Sequence, residues 1–144
     1  MNKILLTRRM MLASTALVAV PQSLLAATAS PSGAACYIIS PHNWARVRSP
    51  VTVVFGLKGM GVTQAGSDFK DAGHHHLLID VTEPLDPESE IPADKSHVHF
   101  GRGQTEATIE LARGWHTLQL VLGDANHRPF NPSVQSDKIK IKVI

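Results

Sequence analysis

Six of the eight histidines in this 144-residue chain fall in three short places: the run His74, His75 and His76, the pair His97 and His99, and His127. Neutral imidazole is the commonest metal ligand and suits both zinc and copper. On a β-strand, side chains two apart project from the same face, about 7 Å from each other. Each His-x-His pair therefore offers two imidazoles to one surface, and two neighbouring strands of this kind can build a metal site between them.

The chain must supply those strands. Short apolar runs and alternation bounded by turn residues recur along it, and no helical period is sustained. The pattern predicts seven strands, over 36–39, 50–57, 74–82, 96–100, 104–111, 115–122 and 138–143. Gly-rich and Pro-rich loops separate them, the longest being 58–73 and 83–95. Seven strands at these intervals point to an all-β fold, a seven-stranded immunoglobulin/fibronectin-like antiparallel β-sandwich, without the Cys-Trp-Cys signature of an antibody domain. Lys138, Lys140 and Lys142 alternate with Ile139, Ile141 and Val143 on the last strand. They read as the solvent face of an edge strand, where Lys discourages pairing with other chains, with an anion stripe as the alternative.

Antiparallel order brings His74, His99, the 123–134 loop with His127, Met60 and Asp124 to one end of the sandwich, and His116 to the other. In the third strand His75, Leu77, Ile79 and Val81 share the core face, so His74 and His76 point outward; in the fourth, Val98 and Phe100 face the core and His97 and His99 point out. Two arrangements are open. If the fourth strand sits beside the third, as in fibronectin-type sandwiches, the four outward imidazoles are cross-strand neighbours. If it joins the opposite sheet, the pairs face apart and share no ion. The first is the expected one. It makes His74, His76, His97 and His99 the leading metal ligands, with His75, His127 and Met60 as secondary candidates. His116, on a face with Leu118 and Leu120, reads as structural.

The amino terminus has a basic start, an apolar run to Val20 and the small-x-small exit Ala27-Thr28-Ala29. It reads as a secretory signal peptide over 1–29, leaving 30–144 as a single domain and an exported, periplasmic protein. Thr7-Arg8-Arg9-Met10-Met11-Leu12 resembles a twin-arginine export signal, and an ordinary secretory signal fits as well. The apolar run is shorter than the ~20 residues a membrane-spanning helix needs, and no transmembrane segment is expected in the mature chain. Cutting there removes three of the 14 basic residues and none of the 12 acidic ones, taking the net charge from +2 to about −1. Such a balance argues against nucleic-acid binding. The single cysteine, Cys36, allows no internal disulfide and reads as a half-buried thiol on the first strand, with a weak likeness to a lipid-acylation site as the alternative.

Several stretches together resemble one uncharacterised bacterial exported family, the domain of unknown function 4399. They are the segment 49–62, Gly73-His74-His75-His76-Leu77-Leu78-Ile79-Asp80, His97-Val98-His99-Phe100-Gly101 with Gly103-Gln104-Thr105-Glu106, and the segment 114–124. Arg102 stands where the resemblance suggests Gly, and Cys36 where it suggests an ordinary strand residue. The resemblance implies a small envelope domain and no activity or ligand set.

No nucleophile motif or phosphate loop is present. The acidic loop residues Glu83, Asp86, Glu88, Glu90 and Asp94 are irregularly spaced for calcium and read as solvated. Catalysis is not favoured; Glu106 and Asp124 are candidate bases by composition alone. The expectation is an envelope protein that buffers, carries or delivers a transition metal. Copper is preferred to zinc because the Met60 thioether sits at the same end. The rival is a metal-free interaction module gripping an envelope partner with the same loops.

Overall fold

The computed structural model describes residues 27–144, and each of the nine regular elements in that span is a β-strand. One sheet holds β1 (Ala35–Ser40), β3 (Val51–Lys58) and β7 (Glu106–Ile109), antiparallel in the order β1-β3-β7. The larger sheet runs β2 (Arg46–Val47), β9 (Ile139–Val143), β8 (Gly114–Gly123), β5 (Ala72–Ile79), β4 (Gly61–Val62), and β6 (His97–Phe100) also pairs with β5. The two sheets share one core. Val51, Val53 and Phe55 of β3 meet Leu77 and Ile79 of β5, Leu118, Leu120 and Leu122 of β8, and Ile141 and Val143 of β9. Alternation puts these residues on the inner faces, and fully burying each contributes roughly 1.5–3 kcal/mol.

All seven expected segments have a counterpart strand, and the largest differences at their ends fall in β5 and β7. β5 stops at Ile79 because Asp80 takes a left-handed φ of 57°, which breaks the ladder. β7 is confined to Glu106–Ile109. The added strands, β2 and β4, are two residues long and pair in parallel with β9 and β5, so the large sheet is mixed rather than purely antiparallel. Runs that short carry no alternation to read.

Two burial expectations change. Cys36 is buried in the core at 4% exposure, and burial pushes its thiol up to about 12. β9 is not an edge: β8 pairs one side and the 43–47 segment the other, through Trp44 N–H to Lys140 O (2.6 Å), Lys142 N–H to Ala45 O (2.8 Å) and Ile144 N–H to Val47 O (2.9 Å). The lysines of β9 therefore do not guard an open edge.

The outer face of the large sheet is also covered in part. Leu78 and Val121 form a second apolar cluster with Ile91, joined by Val81 and Leu85. The 83–95 loop, whose acidic residues are expected to be solvated, thus folds back over β5 and β8 through Leu85 and Ile91. The expected export segment falls mostly on residues 1–26, outside the described residues. Thr28 lies within them: its hydroxyl donates to Asp124 Oδ2 (2.6 Å) and its carbonyl accepts from Asn131 N–H (2.9 Å). Among the described residues no helix is long and apolar enough to cross a membrane.

Candidate functional site

The position of β6 decides what the histidines can do. It lies antiparallel beside β5, with His76 directly opposite His99 and Leu78 opposite His97. On the other flank of β5, His74 faces Gly123 and His76 faces Val121 of β8. Alternation then projects His74, His76 and His99 from one outer surface. The turn after β8 brings His127 over them. Asp124 organises that turn, its Oδ1 accepting from Asn126 N–H (2.8 Å) and Arg128 N–H (3.0 Å), while its carbonyl accepts from His127 N–H (3.0 Å). His127 sits in the left-handed region at φ 62°, and its own carbonyl takes the Ile91 N–H at 2.7 Å, tying the two covering loops together.

Four imidazoles converge as a result. The ring centroids of His74, His76, His99 and His127 stand between 4.9 and 6.2 Å apart in all pairs. His74 Nε2 and His76 Nε2 are 3.1 Å apart, and His74, His99 and His127 each offer one nitrogen within 4.8 Å of the others. Among the described residues this is the one such group of three metal-ligating side chains. Two nitrogens bound to a tetrahedral zinc at 2.0–2.1 Å stand roughly 3.3 Å apart, so the 3.1 Å His74–His76 spacing suits a shared ion.

The cluster is poorly satisfied. His74 and His76 are fully buried, and His74 Nδ1, His76 Nδ1 and His99 Nε2 have no hydrogen-bond partner. A buried polar atom left unpaired costs about 1–3 kcal/mol, so such a group calls for an explanation. Burial first, then repulsion from the neighbouring rings, lowers His74 to about 4 and His76 to about 3. His99 is lowered by the same two causes. At neutral pH His74 and His76 are uncharged, which is the state that ligates metals.

Two glycines make the room. A Cβ at Gly123 would stand 2.8 Å from His76 Nε2 and 3.5 Å from His74 Nε2; one at Gly101 would stand 2.7 Å from His99 Nε2. Sequence reading passed over both. Their signal is a small residue placed against an imidazole, which becomes visible only once the strand register is known.

The other candidates lie elsewhere. His97 turns to Asp94, its Nδ1 2.9 Å from Oδ1, and lines a cleft of about 490 Å³ under the acidic 80–96 loop that contains none of the four converging histidines. His75 faces the core, its ring 5.2 Å from Phe55 and its Nδ1 donating to Gln104 O at 3.3 Å. Met60 packs against that same main core. His116 is held by Asp80 Oδ2 (2.7 Å) and Ala112 O (2.9 Å). In the acidic loop, Asp86 and Asp94 accept from nearby backbone and side-chain donors of their own loop.

The strands that carry this site lie inside a stretch, residues 53–144, that matches the family model described as a domain of unknown function, DUF4399. The chain belongs to that family. No curated protein and no solved structure matches it. The family stretch holds all four converging histidines, both glycines and Asp124, so the whole site belongs to the family domain.

Proposed function

We propose that this domain binds a transition metal ion through His74, His99 and His127, with His76 as a fourth ligand, and serves in the bacterial envelope as a buffer, carrier or delivery protein rather than an enzyme. The observation that carries the reading is a group of four converging imidazoles, two fully buried and two half-buried, in which His74 Nε2 and His76 Nε2 stand 3.1 Å apart while His74 Nδ1, His76 Nδ1 and His99 Nε2 have no hydrogen-bond partner. Copper remains preferred over zinc, on new grounds. Met60 packs with the core, so the thioether argument for reduced copper falls away; an all-imidazole set favours divalent copper, which stands above zinc in intrinsic affinity. A carrier role fits a site built of imidazoles, since Asp124, the carboxylate near enough to bear on His74, is engaged by the turn it organises. For the fold we propose the fibronectin-type variant of the immunoglobulin-like sandwich, supported by the order β1-β3-β7 in one sheet and by β6 beside β5 in the other.

The test is titration of metal-free protein with copper(II) and zinc(II) against a competing chelator. Micromolar or tighter binding is expected, weakened at least a hundredfold in His74→Ala/His76→Ala and in His99→Ala/His127→Ala. The second pair matters because His99 and His127 are only partly buried, so their loss spares the core. Affinity unchanged in that pair overturns the assignment.

A further inference from the structure

At the far end of the same outer face lies a patch of different chemistry. Across three strands Arg46 stands opposite Lys142, and Lys142 opposite Trp115, with Lys140 beside Thr117 one step along. Trp44 and Trp115 are exposed at 63% and 50%, and their rings meet edge to face at 5.8 Å. Lys140 Nζ sits 5.6 Å from the Trp44 ring and 5.1 Å from the Trp115 ring, and Lys142 Nζ is 5.4 Å from Trp115. Among the described residues none of these three cations makes an ion pair with a carboxylate. Since the 43–47 segment closes β9, the lysines have no edge to protect.

We propose that this patch docks the domain on an anionic lipid bilayer. Unpaired cations beside exposed indoles match the headgroup boundary, where Lys and Arg meet lipid phosphates and Trp takes the interfacial layer. Glycans and single-stranded nucleic acids need open aromatic faces for stacking, and here the lysine ammonium groups lie over those faces. Trp115 and Gly123 lie at opposite ends of β8, about 27 Å apart at the usual strand rise, so the patch and the imidazole group are separate regions of that face. This inference does not depend on metal binding.

Trp44 and Trp115 are the chain's two tryptophans, so its indole fluorescence reports on this patch alone. The form to test is the segment 27–144, which carries every strand and core residue described and leaves out the apolar run before Val20, which would itself enter lipid. Vesicles containing a third phosphatidylglycerol should shift its emission to the blue and sediment it, and pure phosphatidylcholine should do neither. Removing a cation is expected to lower partitioning about fivefold, so Lys140→Gln/Lys142→Gln should lose roughly 25-fold and Arg46→Gln, on a different strand, about fivefold. Raising salt to about 1 M should abolish binding. Thermal melts like the parent's establish that the variants are folded. Failure to bind anionic vesicles, equal binding to neutral ones, or variants that partition like the parent would each overturn the proposal. Tighter binding to a soluble acidic polymer than to vesicles would overturn it too, in favour of a polyanion partner.

Discussion

His74 and His116 lie on neighbouring strands of one sheet, and their surroundings reverse their chemistry. Both nitrogens of His116 meet acceptors, the Asp80 carboxylate at 2.7 Å and the Ala112 carbonyl at 2.9 Å. Burial opposes its charge, but those two partners outweigh it and the pKa is raised. In the group at the other end, His74 and His76 find mainly each other, and burial with like neighbours drives them to about 4 and 3. An imidazole with both nitrogens occupied by the protein is a clip. Several imidazoles with nitrogens left over form a binding site, and their burial costs stability that a ligand can return.

The largest effect should come from filling the space between the rings. Gly123→Val sets a Cβ 2.8 Å from His76 Nε2 and is expected to weaken copper and zinc binding at least a hundredfold in the chelator competition. The same crowding should destabilise the fold by about 1–3 kcal/mol in urea melts. Full-affinity binding by this variant would mean the ion sits elsewhere.

The next prediction separates the two kinds of histidine by sign. Replacing His74 and His76 together with Leu removes two buried rings with an unsatisfied nitrogen each, leaves neither partner of their 3.1 Å contact behind and keeps their volume, so metal-free protein should gain about 1 kcal/mol while metal affinity falls. His116→Leu should instead lose about 1 kcal/mol, a figure kept small because Asp80 is half exposed. Destabilisation by both changes would erase the distinction drawn here.

The contrast also shows what sequence could and could not reveal. The alternation in 104–111, the long apolar run 115–122 and the Val-rich 50–57 run made the strands readable, and Phe100 and Val98 placed His99 on the outer face, beside His76. Adjacency of β6 to β5 stayed open because a four-residue strand with one buried face suits either sheet. His97 shares a face with His99, yet a local Asx-type loop at Asp94 captures it, a competition that period-two counting ignores. His127 came in through a turn built by Asp124, whose bonds depend on residues as distant as Thr28. Burial of the cluster depends on the 80–96 loop folding back through Ile91 and Leu85, apolar residues sparse enough to look incidental among carboxylates.

Stability should follow pH in opposite senses at the two ends. His74 and His76 have folded pKa values below the usual 6.5, so the unfolded chain takes up protons first as pH falls. Their contribution is complete above about 6.5 and is lost progressively toward about 4 and 3. His116 is raised, so its contribution is complete below about 6.5 and fades as pH rises through its folded value. Urea midpoints of metal-free protein should therefore peak near neutrality. His76→Leu should flatten the acid limb and His116→Leu the alkaline one; a variant that flattens the wrong limb breaks the comparison.

The smallest expected effect is the most discriminating control. His97 and His99 share a strand face and differ in what holds them: His97 Nδ1 is bound to Asp94 Oδ1 at 2.9 Å, whereas His99 Nε2 has no partner and its ring lies 5.0 Å from that of His74. If leftover nitrogens define the site, His97→Ala should change copper or zinc affinity less than twofold, while His99→Ala alone should cost at least tenfold. The pair is exposed on the Asp94 side, so the melt should hardly move. Equal losses from the two substitutions would show that strand face, rather than hydrogen-bond satisfaction, selects the ligands. The Asp94 contact would then have to be a resting arrangement that the ion displaces.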